Sequence, residues 1–209
     1  MNGASFLPGI APGTWTSIFG SNLSGTTRSW NDSDFDGNNL PTQLDGVGVT
    51  VDARPAYVYY VSPTQLNVLA PDGPTLGPVR VQVKNSQGKS LDVFADQGTY
   101  SPALFTSGRY AAGVGTVKPG DIISLYGTGF GPTTPASPIG QIIPPAPLAS
   151  SVTVRIGGVI ATTQWTGIVG AGLYQFNVVV PNVPNGDNAV EINIAGSATQ
   201  PNVFLTVRR

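Results

Sequence analysis

APGTWTSIFGSNL at residues 11–23 returns as KPGDIISLYGTGF at 118–130. Each copy opens on Pro-Gly and closes its hydrophobic run on a glycine, Gly20 and Gly127. Further along, VTVDARPAYVYYVSPTQLNVLAP at 49–71 returns as VTVRIGGVIATTQWTGIVGAGLYQFNVVVP at 152–181, both ending in Gln-x-Asn, apolar residues and proline. The two copies keep their order and nearly constant separation, as an internal duplication does. A chain of 209 residues then divides into two similar halves, each long enough to bury one modest core.

Period-two alternation identifies the elements as strands. Val47, Val49 and Val51 share one face, as do Val79, Val81 and Val83, then Val152, Val154 and Ile156, then Val190, Ile192 and Ile194. Val203, Leu205 and Val207 close the chain in the same way. Turn formers punctuate these runs at 72–78, 85–89 and 184–188, and leave no room for a helix beyond a single turn near SPTQ at 62–65. The expected fold is all-β, with two tandem immunoglobulin-like antiparallel β-sandwich domains from the duplication. The expected domains are 1–107, with an acidic loop at 24–41, and 108–209, with a Pro-rich loop at 131–147. Loops of that length are uncommon unless functional or disordered.

Composition narrows the chemistry. Only 10% of residues are charged, with Lys+Arg 10 against Asp+Glu 11, so no basic stripe exists for nucleic acid. No apolar run reaches the ~20 residues of a membrane-spanning helix. Cys 0 excludes disulfides, and His 0 removes the usual general base, the Ser-His and Cys-His nucleophile pairs and the commonest zinc ligand. No G-x-S-x-G occurs, and Ser86-Gln-Gly-Lys89 lies in a hairpin turn. MNGASF carries neither a basic nor an apolar signal region, which suits an internal protein or a mature or excised segment.

The motifs SIFGSNL, SLYGTGFGP, LPTQLDGVGVTV, YYVSPTQLNVLAP and GLYQFNVVVP, with NGASF near the start, together resemble the Solibacter-type C-terminal domain family of acidobacterial secreted proteins. Each half is also similar to IPT/TIG immunoglobulin-like domains, in which Pro-Gly precedes a strand ending in Gly-x-Gly or Gly-x-Asn. The resemblance implies a β-sandwich pair in a secreted or cell-surface bacterial protein, and it supplies no catalytic residues.

One local pattern stands apart from the repeat. Asp32-Ser-Asp34-Phe-Asp36-Gly37 matches the first half of a calcium loop, where alternate carboxylates converge and glycine permits the turn. Asn38 offers a carbonyl, and Asp45 stands in for the missing acidic residue at the loop's end, Gln43 occupying the twelfth position. The same residues also suit a polar turn in which Asp and Asn cap their own backbone. Ca2+ is the only cofactor suggested. Trp30 and Tyr60 are the candidates for stacking on a sugar ring, while Trp15, Trp165, Tyr57 and Tyr59 read as core. The leading expectation is a non-catalytic structural or adhesion module whose partners are extracellular proteins or glycans. A calcium-dependent hydrolase of small esters or lactones and a carbohydrate-binding module are the alternatives.

Overall fold

The computed structural model describes all 209 residues and contains strands, turns and one short 3₁₀ turn, Asp32–Asp34. That turn, and not 62–65, is where the chain coils.

The first sandwich packs two antiparallel sheets face to face. One has the order Trp15–Phe19, Gln65–Leu69, Tyr57–Val61, Arg28–Ser29. The other has the order Val93–Gln97, Gly77–Asn85, Val47–Val51, Gln43–Leu44. Alternation delivers Leu66 and Val68 from the first sheet and Val47, Val49, Val51 and Val79 from the second into one buried cluster. Each such side chain contributes roughly 1.5–3 kcal/mol on leaving water.

The second sandwich repeats the plan. Ile122–Thr128 pairs with Leu173–Val179, which pairs with Thr162–Gly170, as Trp15–Phe19 pairs with Gln65–Leu69 and then Tyr57–Val61. Its facing sheet runs Phe204–Val207, Gly186–Ile194, Val152–Ile156. Leu125, Phe130, Phe176, Ile192 and Leu205 fill the core between them. Ala103 and Leu104 pair with Thr128 and Gly127, and Thr106–Ser107 pairs with Tyr110–Ala111. Residues 103–107, which the sequence reading leaves with the first half, therefore hydrogen-bond as part of the second.

The duplication extends to irregularities. In the first half the register slips between Val58 and Tyr60, opposite Val68 and Asn67. In the second it slips between Thr163 and Trp165, opposite Val178 and Asn177. A bulge turns two successive side chains to one face. Val58 and Val61 thus both point inward and are fully buried, while Tyr59 is turned out and 38% exposed.

Gln-x-Asn has the same task in each copy. Ser17 Oγ and Gln65 Nε2 both donate to Asn67 Oδ1, at 3.0 and 2.9 Å. Ser124 Oγ and Gln175 Nε2 both donate to Asn177 Oδ1, at 2.9 and 2.8 Å. Serine and asparagine sit directly opposite each other in both registers, which ties the first strand of each half to its neighbour.

The two sandwiches are joined by the segments that the duplication does not share. Leu40 N–H donates to Gly140 O at 2.9 Å and Ile142 N–H to Asn38 O at 2.8 Å, a short antiparallel bridge between the acidic and Pro-rich loops. Gln141 Nε2 adds a bond to Asn39 Oδ1 at 3.1 Å, and Tyr57 hydroxyl one to Ile139 O at 3.2 Å. The repeated motifs also touch: Trp15 N–H donates to Thr128 Oγ1 at 2.9 Å.

Candidate functional site

The outer face of the sheet containing Trp15–Phe19 is only partly covered. The hairpin tip at residues 169–173 of the second sandwich leans over one end of it, where the Trp15 indole N–H donates to Ala171 O at 2.9 Å. Gly172 has φ +66, and a Cβ there would lie 2.4 Å from Leu69 Cδ1, so the close approach of the hairpin requires glycine. Between sheet face and hairpin runs an open cleft of about 530 Å³.

Aromatic rings make the first-sandwich wall. Trp30 is their hub, with ring centroids 5.8 Å from Trp15, 4.9 Å from Tyr59 and 5.2 Å from Phe35, all edge-to-face. Strand order explains the gathering. Trp15 lies on the first strand, Tyr59 at the bulge two strands away, and Trp30 directly follows the edge strand Arg28–Ser29. Ile142, Val169 and Leu173 face them from the second half. Thr16, Ser17 and Asn67 are the uncharged polar residues of the lining, and no lining residue is charged.

The acidic loop closes one side, and its carboxylates meet a guanidinium. Arg28 Nη1 and Nη2 donate to the two oxygens of Asp34 at 2.7 and 2.9 Å. Its Nε and Nη2 donate to Asp45 Oδ1 at 2.9 and 2.7 Å. Asp34 also accepts from Asn31 N–H at 2.7 Å, while Asn31 Oδ1 accepts from Ser33 N–H at 3.0 Å, a reciprocal cap on the 3₁₀ turn. Arg28, with help from the Asn31 amide, holds the Asp34 carboxyl down to about 2. Arg28 and the Thr26 hydroxyl hold Asp45 below the usual carboxylate range, and the two acids raise Arg28.

The residues expected to bind calcium are therefore arranged differently from a calcium loop. Asp34 and Asp45 come together on Arg28, which occupies the place between them where a cation would sit. Asp32 is exposed in the 3₁₀ turn, Asp36 pairs with Asn39 through the backbone, and the Asn38 carbonyl is taken by Ile142. No three acidic residues lie in an arrangement that could hold a metal ion. Arg28 is the only Lys or Arg before Arg54, and its place beside the acidic loop was the sequence signal for this pairing.

Of the two stacking candidates, Trp30 lines the cleft and Tyr60 does not; the bulge puts Tyr59 there instead. Trp15, read from the sequence as core, is half-buried on the cleft wall, and Tyr57 packs its ring against Gly140. Trp165, also read as core, is half-buried opposite Asn177. For Tyr59, Tyr60 and Trp165 the cause is a register slip, across which alternation assigns the wrong face, whereas Trp15 lies in unbroken register opposite Leu69 on the outer side of its sheet.

Comparison with known proteins gives fold-level likenesses. A search of curated proteins gives no match. Among solved structures, the chain is similar to a surface glycan-binding protein of the mixed-linkage glucan utilization locus of Bacteroides ovatus, in complex with a mixed-linkage heptasaccharide. Identity there is 12% and the TM-score 0.42, with 95% of this chain and 42% of that chain covered. A surface glycan-binding protein of Prevotella bryantii gives 11% identity and a TM-score of 0.31, covering 95% and 38%. Domains 4 and 5 of the S-layer protein SbsC give 14% and 0.26, covering 78% and 77%. The chain spans less than half the length of the first two. Residues 10–107 match the family model of the IPT/TIG domain, which supports an immunoglobulin-like domain in the first half.

Proposed function

We propose that the chain is a non-catalytic, rigid two-sandwich module of a secreted or cell-surface bacterial protein, serving in structure or adhesion. The observation that carries this reading is the antiparallel bridge between residues 38–40 and 140–142, which joins two loops that the duplication left free to differ. Two backbone hydrogen bonds, Leu40 N–H to Gly140 O and Ile142 N–H to Asn38 O, hold the loops to each other. The sparse charge and the family resemblance support the extracellular setting. In this reading Arg28, not calcium, holds the acidic loop.

Two measurements test it. The purified chain, offered p-nitrophenyl esters, small lactones and aryl glycosides, should give no saturable turnover. Saturable turnover lost in Asp34→Ala would replace the reading with a hydrolase. Millimolar calcium should leave the melting midpoint where it is, because a ligand raises the midpoint only when it binds the folded state preferentially.

A further inference from the structure

We infer that the aromatic cleft between the sandwiches is a binding site for a neutral oligosaccharide of equatorially substituted hexopyranoses. The site adds to the structural role and does not depend on it.

Three features select this chemistry. The first is the wall formed by Trp15, Trp30, Phe35 and Tyr59. A hexopyranose with equatorial hydroxyls carries its C–H bonds on its two flat faces, and those faces pack on aromatic rings while the rim stays polar. Tyr59 is 38% exposed, so its ring is available to a ligand.

The second feature is Asn67. Its Oδ1 accepts from both Ser17 and Gln65, which fixes the amide plane and leaves Nδ2 with no partner in the chain. Asn67 lines the cleft from a strand, so a hydroxyl at a sugar rim can accept from its free amide N–H groups. An amide pinned in advance loses little freedom on binding. A wholly apolar ligand would leave these donors desolvated and unpaired, at a cost.

The third feature is charge. No Asp, Glu, Lys or Arg lines the cleft, since Asp34 and Asp45 are turned to Arg28. An ionised ligand would lose hydration there without meeting a counter-charge. The volume, about 530 Å³, lies within the usual range for small-ligand sites, roughly 300–1,000 Å³.

The test titrates the intact chain with cellohexaose, a hexagalacturonate and neutral N-phenyl-1-naphthylamine, following tryptophan fluorescence and calorimetric heat. Cellohexaose should saturate, and the charged sugar should bind at least tenfold more weakly. Tyr59→Ala and Trp30→Ala should each weaken cellohexaose at least tenfold. Asn67→Asp keeps an acceptor for Ser17 and Gln65 but removes both donors, so it should weaken binding by a similar factor. Tyr59 is exposed, so its variant keeps the test valid if Trp30→Ala fails to fold. Four outcomes would overturn the site: no response at millimolar cellohexaose, affinity unchanged in Tyr59→Ala, equal binding of the hexagalacturonate, or saturation by the naphthylamine alone.

Discussion

Gly140 shows how one residue fixes the contact between the two halves. Its φ of +82 is a left-handed conformation, and a Cβ there would lie 1.8 Å from Tyr57 Cζ. The tyrosine can move aside only by giving up its bond to Ile139 O. Gly140→Ala should therefore cost about 3 kcal/mol or more, adding overpacking to backbone strain. Gly37, at φ +58 with open space around it, separates the two effects. Gly37→Ala should cost only about 1 kcal/mol, and equal losses in thermal melts would show that Tyr57 does not pin the loop. Arg28 makes a second residue-level prediction. Asp34 titrates near 2 when folded, below its value in an unfolded chain, near 3.9. Its contribution is therefore complete above pH 4 and is lost as pH falls toward 2, because the unfolded chain takes up the proton first. The melting midpoint should drop across that window, and Asp34→Asn should flatten the drop while lowering the midpoint at pH 7.

At the level of strands, the repeated Gln-x-Asn is a register lock. Removing Asn67 leaves the Ser17 hydroxyl and Gln65 amide without their acceptor, and Asn177 holds the same place for Ser124 and Gln175. Asn67→Ala and Asn177→Ala should each destabilise by about 1–2 kcal/mol. Denaturant titration would disprove the shared role if one variant were neutral. The strands themselves were legible because buried valines at alternate positions leave little choice of face. Tyr59 was not legible, since a bulge adds one residue and the sequence carries no mark of which one. Asn67 was half legible: its repetition in Asn177 signalled importance, but only the register revealed the serine across from it. The Asp32-Asp34-Asp36 spacing counts carboxylates and does not show the guanidinium that folding brings to Asp34 and Asp45.

Across the whole molecule, the loops that differ between the copies turn out to face each other. The shared text builds two separate cores, and the unshared text makes the bridge and the rim of the cleft that lies between them. Sequence comparison could mark 24–41 and 131–147 as special, yet pairing across about a hundred residues is a tertiary fact with no local signature. We expect this pairing to make the two sandwiches one rigid body. Residual dipolar couplings test it most directly, collected in one aligned sample for amides of residues 10–97 and 103–207. A single alignment tensor should fit both sets. Two tensors of different magnitude or orientation would mean that the sandwiches move independently, and would contradict the claim.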